Sequence, residues 1–217
     1  MANLWRPDSP FMQKMTLVTN LLILNILWIL CSIPIFTIGA STSAMYSVLF
    51  AYRRKETDSV LKPFFVAFKR AFVKGTICWV ILLALIVALG YDVILLIYGA
   101  ELDLFLCIPV ILVGLLVIIV GAYFFPQLAL FDNRPVAMVK NCFLLFILYP
   151  LQSIAVVILT LFPLILFLFI PQLFWFTFLL WVLIGISLLG YINTFLLLMI
   201  FKKYMPKDEP ETTQDES

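Results

Sequence analysis

The stretch LCSIPIFTIGASTSAMY, Leu30 to Tyr46, decides how this chain enters its fold. It puts a proline, a glycine and a Ser-Thr-Ser run inside an apolar segment, Thr16 to Tyr52, that is too long for one straight membrane crossing. About 20 helical residues, at about 1.5 Å each, suffice for a hydrocarbon core about 30 Å thick. Pro34 donates no backbone hydrogen bond and disfavours helix at Ile33, while Gly39 tolerates a turn. The segment is therefore expected to cross, break and return, with Thr37 or Ser41 capping the second helix. A helix over 40–54 covers roughly 22 Å, which makes it a half-length partner to a first helix over 16–36.

The rest of the chain sets the class. Hydrophobic residues make up 65% of the sequence and charged ones 12%, arranged in long uninterrupted blocks, so this is an integral membrane protein. Runs such as VILLALIVAL and LLVIIV do not alternate apolar with polar, which excludes a barrel and leaves helices. Further spans are expected over 75–98, 105–125, 142–169 and 173–201. The predicted fold is an all-α polytopic transmembrane bundle within a single domain, 1–204. It has five long-enough spans, or six membrane helices if the short one is counted. The apolar block after MANLWRPDSPFMQKM is longer than the core of a signal peptide, so no cleaved signal is expected.

Charge gives an orientation. Arg53, Arg54, Lys55, Lys62, Lys69, Arg70 and Lys74 precede the 75–98 helix, Arg134 and Lys140 follow the next, and Lys202, Lys203 and Lys207 follow the last. All of these fall on one side, and the opposite loop carries Glu101 and Asp103. If the first segment returns, Arg6 and Lys14 join them and all 14 basic residues are cytoplasmic, with both termini. The acidic tail over 205–217 reads as disordered.

Several faces are legible. Gly39, Ser43, Ser47 and Ala51 recur every four residues, a small-residue stripe that lets helices approach closely in lipid. Over 60–73, Phe64, Phe65, Phe68 and Phe72 share one side and Lys62, Lys69, Arg70 and Lys74 the other, the pattern of an amphipathic helix at the cytoplasmic interface. The segments from Phe65 and from Phe131 share an Ala-x-Val-Lys core, a weak internal echo. Asp92 is the one acidic residue inside a long span, near its outer end, where it meets interfacial water or faces a cavity. Asp132, Asn133 and Arg134 read as a surface turn or ion pair, and Trp28 as packing.

Chemistry is constrained by what is missing. With no histidine the zinc-protease motif is excluded, no phosphate-binding glycine loop occurs, and Asp92 has no paired aspartate, so the protein is read as non-enzymatic. Cys31, Cys78, Cys107 and Cys142 lie in apolar segments without metal-ligand spacing and read as small core residues. No cofactor, metal or nucleic acid is expected.

NILWILCSIPIFTIGASTSAMY, Asn25 to Tyr46, resembles the N-terminal signature of the YesL-like family of small bacterial integral membrane proteins, through Leu27, Trp28, Pro34, Thr37, Gly39, Ala44 and Tyr46. FFPQLALFDN, Phe124 to Asn133, is similar to that family's aromatic-proline segment. Ala40 departs from the pattern, since relatives often carry proline there. The resemblance implies a plasma-membrane location and an association with carbohydrate uptake, and supplies no catalytic or binding residues. The expected role is accessory or regulatory, with the bilayer, permease subunits or a second copy of the chain as partners. The alternative is a small transporter or channel acting as a homo-oligomer.

Overall fold

The computed structural model describes residues 10–98 and 104–204. The expectations about a signal peptide, Arg6, the loop with Glu101 and Asp103, and the 205–217 tail concern residues outside these.

The opening segment does reverse. Helix α1, Pro10–Ser32, ends just before Pro34, a single 3-10 turn follows over Ile35–Thr37, and α2, Ile38–Arg53, runs back. Two long-range bonds set the direction: Trp28 Nε1 donates to Thr42 Oγ1 at 3.1 Å and Asn20 Nδ2 to the Asp58 carbonyl at 3.4 Å. Positions 28 and 42 meet near the bend and 20 and 58 at its open end, so α1 and α2 form an antiparallel hairpin. Thr37 does not cap α2 through its side chain. The 3-10 turn already brings the chain in helical, and the Thr37 hydroxyl reaches back to the Cys31 and Pro34 carbonyls, each at 2.6 Å. Ser41 and Thr42 bond the carbonyls four residues earlier, at 3.1 and 2.7 Å, so much of the polar run satisfies itself inside its own helix.

Among the described residues there is no strand, and six helices are long and apolar enough to cross a membrane. The chain is a multi-pass helical membrane protein. Its second span, Ile35–Arg53, is 61% buried inside the protein, while the others range from 6 to 33%, so α2 is the central helix of the bundle.

Its neighbour α3, Leu61–Tyr98, is 38 residues long, about 57 Å. The expected interfacial helix over 60–73 and the span over 75–98 are one uninterrupted helix. The joint, Gly75, is buried against α2, and no residue between 61 and 98 breaks the ladder. Phe64, Ala67 and Ala71 are buried on the same side as Gly75, while Phe65, Phe72, Lys62, Lys69 and Arg70 are exposed. Gly39 lies directly on Gly75: a Cβ there would meet the Gly75 carbonyl oxygen, Trp79 Cβ at 2.6 Å and Phe125 Cε1 at 2.7 Å. Ser43, one turn on, is also buried, and Ser47 is half-buried.

Helix α4, Leu104–Leu130, returns beside α3, with Arg70 Nη2 donating to the Ala129 carbonyl at 2.9 Å. The next two spans depart from expectation. Instead of one helix over 142–169 there are α5, Pro135–Leu148, and α6, Pro150–Phe169. Pro150 forces Tyr149 out of the helical region, to φ −128° and ψ 61°. The last span is not one helix over 173–201 but α7, Pro171–Phe176, a single turn α8, Phe178–Leu180, a π-helical segment Trp181–Gly185 and α9, Ile186–Phe201. The two copies of the internal echo differ accordingly, since α3 runs straight through where α5 stops.

The Gly39 contact leads to a prediction. Gly39→Val should lower the melting temperature of the detergent-solubilised protein, in line with an overpacking cost of about 1–3 kcal/mol. Gly114→Ala, whose new Cβ has nothing within 4 Å, should leave it unchanged.

Candidate functional site

A hydrocarbon environment offers no water to an unpaired polar group, so polar side chains inside the bundle are worth following one by one. Asn25 on α1 is fully buried. Its amide enters the widened backbone of the π-helical segment: Nδ2 donates to the Val182 carbonyl at 2.7 Å and, more weakly, to that of Trp181 at 3.3 Å, while Oδ1 accepts from the Ser187 N–H at 2.9 Å. The side chain thus stands in for a missing rung of the helix ladder, which accounts for the π-turn. Ser187 Oγ closes the clasp, bonding the Leu21 carbonyl at 2.8 Å.

At the end of α2, Arg53 folds back onto α9. Nη2 donates to the Tyr191 carbonyl at 2.7 Å, Nε to Thr194 Oγ1 at 3.1 Å, and the guanidinium lies 4.2 Å from the Tyr191 ring centroid. The sequence pattern counts Arg53 only as one of a cluster of loop charges. In the structure it anchors two helices.

The bundle holds a cavity of about 500 Å³, bounded by α1, α2, α3, α4, α6 and α9. Trp28 and Trp79 form part of its wall, Trp28 tied to Thr42 and Trp79 Nε1 to the Ile35 carbonyl at 2.8 Å. Gly121 faces it with open space beyond its Cα. Most of the lining is aliphatic or aromatic. The polar exceptions are Thr42, held by Trp28, and a knot of Tyr46, Thr160 and Asn193. Asn193 Nδ2 donates to the Tyr46 hydroxyl at 3.1 Å and to Thr160 Oγ1 at 3.2 Å, and Thr160 in turn donates to the Val156 carbonyl at 2.8 Å. Asn193 is 2% exposed, and among the described residues its Oδ1 has no hydrogen-bond partner.

The predicted site residues are only partly brought together. Trp28 lines the cavity; Thr37, Gly39 and Ser43 are buried in the packing of α2; Pro34 is exposed at the bend. Asp92 is half-buried on α3 and does not line the cavity. Asp132 pairs with Lys74 of α3 rather than with Arg134. Arg134 is extended ahead of Pro135 and exposed, whereas Lys74 lies alongside the turn and also reaches the Asn133 carbonyl at 3.4 Å. The hydrogen bond and charge of Lys74 hold the Asp132 carboxyl below its ordinary pKa. Sequence reasoning passed over Asn25, Thr160 and Asn193. The available signal was an amide in an otherwise apolar helix, which is rare enough in a membrane span to mark a contact.

Residues 21–93 match the model of a family described as "Protein of unknown function, DUF624". The matched stretch holds the second half of α1, the bend and α2, the Gly39–Gly75 contact and the Asn25, Trp28, Tyr46 and Trp79 side chains. No curated protein and no solved structure matches the chain.

The clasp gives a second prediction. Asn25→Leu strands the Val182 carbonyl and the Ser187 N–H, and should destabilise the protein by about 1–3 kcal/mol in a detergent unfolding titration. Thr16→Val, at an exposed position of α1 nine residues from Asn25, should change stability far less.

Proposed function

We propose that the protein is a non-enzymatic accessory or regulatory component of a solute-uptake assembly in a bacterial plasma membrane, with carbohydrate as the solute class. The observation that carries this reading is the state of the polar groups within the bundle. Trp28, Thr42 and Thr160 are each engaged within the chain, and the cavity's spare hydrogen-bonding capacity sits at one spot, beside Asn193. A sugar carries hydroxyls around its whole ring, and each one left unpaired away from water costs about 1–3 kcal/mol. Such walls do not compose a sugar pathway, which favours a role beside a transporter over a role as one.

The contact surface in this reading is the basic end of α3. Lys62, Lys69 and Arg70 are exposed there together with Phe65 and Phe72, so charge and aromatic area face outward side by side. The excess of Lys and Arg supports a cytoplasmic position for this end and, in this reading, for both termini. Carbohydrate as the solute class rests on the YesL-like resemblance.

A photoreactive residue at Phe72, activated in native membranes, should capture permease subunits. The opposite outcome is labelled sugar moving across liposomes that hold only the purified protein, with flux lost on Asp92→Asn. That result would establish a transporter and discard the accessory role.

A further inference from the structure

The polar knot at the cavity has an orientation that can be worked out. The Thr160 hydroxyl gives its proton to the Val156 carbonyl, so it can only accept from Asn193. That fixes the amide nitrogen towards Thr160 and Tyr46 and leaves Oδ1 as the unpaired acceptor. The Tyr46 hydroxyl, having accepted from Asn193, keeps its own proton. Tyr46 and Asn193 both line a mainly apolar chamber, so two of its lining residues carry a spare donor and a shielded, unpaired acceptor that a small side-chain shift would present to a ligand.

We infer that this cavity binds a neutral, mainly apolar molecule bearing a hydroxyl, drawn from the bilayer. The hydroxyl donates to Asn193 Oδ1 and accepts from Tyr46, and the apolar body fills the space between Trp28, Trp79 and Gly121. Three observations converge on this class. A volume of about 500 Å³ lies within the range of small-molecule sites, roughly 300–1,000 Å³. An amide oxygen buried without a partner carries a desolvation cost of about 1–3 kcal/mol that a hydroxyl relieves. The route in is apolar too: Ile86 and Leu164 line the cavity and are 43% and 53% exposed, and both belong to membrane-spanning helices. The opening therefore faces lipid, and a charged or many-hydroxyl ligand would have to cross hydrocarbon to reach it. The assignment does not depend on the accessory role.

The test uses the full chain in lipid nanodiscs with two photoreactive probes of equal length, a diazirine-bearing long-chain alcohol and its hydroxyl-free alkane. Labelled peptides are mapped by mass spectrometry. The alcohol should label cavity residues of α4 and α6 more than the alkane does, by about 2- to 10-fold, the worth of one net hydrogen bond. Asn193→Leu should erase that preference. Gly121→Leu grows into open space, so it should preserve a monodisperse, thermally stable protein while suppressing cavity labelling by both probes. Equal labelling by the two probes, a preference that survives Asn193→Leu, or labelling confined to the lipid-facing helix surfaces would each overturn the proposal. In any of those cases the Asn193 oxygen serves at most an ordered water.

Discussion

The bundle depends on one backbone-to-backbone contact, Gly39 of α2 against Gly75 of α3. Hydrocarbon gives helices no hydrophobic reason to associate, so close packing has to supply much of the attraction. At this crossing a Cβ on Gly75 would fall 3.0 Å from both Ala40 Cα and Ala40 N. A side chain at Gly75 would press α2 away by a few tenths of an ångström, and one at Gly39 would run into the Gly75 backbone itself. The contact also requires α2 to run back along the first half of α3, and the chain achieves this by stopping α1 at Ser32 and turning through Pro34 to Thr37. The break and the glycine are two parts of one device. Once α2 is seated, α1, α4 and α9 pack around it, with Gly190 of α9 leaving room for the side-chain ends of Met45 and Leu49.

Polar residues inside the bundle divide by how completely they are satisfied. Thr37, Ser41 and Thr42 bond backbone within the hairpin, and Asn25 splices α1 into the final span. These groups hold the architecture and are closed to a ligand. The Ser32, Ser43 and Thr76 hydroxyls are buried without a partner among the described residues but do not line the cavity; Asn193 differs, because it lines the cavity, two hydrogen bonds secure its side chain and its oxygen is left over. A held side chain with an unpaired acceptor, on a residue that lines a mainly apolar cavity, is what the proposed binding site rests on. It arises where α2, α6 and α9 meet, above the Arg53 anchor.

Much of the architecture was legible in the sequence, for local reasons. Helical class, the six apolar spans and the reversal at Pro34 follow from composition, run length and proline chemistry, all of which act within a few residues. Pro150 and Pro171 carried the same kind of signal, and the breaks at Tyr149 and Ile170 could have been anticipated from it. The small-residue stripe announced that α2 packs closely but not against what, because Gly75 lies 36 positions away on another helix. The clasp at Asn25 and the knot at Asn193 were hidden for the same reason: their partners are 162 and 147 residues distant. The nearness of Asp132 and Arg134 in sequence suggests a local pair, whereas the partner that the fold supplies is Lys74, 58 residues away.

The central claim is that the chain turns back within its first apolar segment. Spin labels at Asn20→Cys and Asp58→Cys, in a background lacking the four native cysteines, measure this directly by pulsed dipolar spectroscopy. In the structure Asn20 touches the Asp58 backbone at 3.4 Å, so the two labels should lie within the reach of their own side arms. A single straight helix through the segment would separate the same positions by roughly 57 Å at 1.5 Å per residue, and a distance of that order would contradict the account.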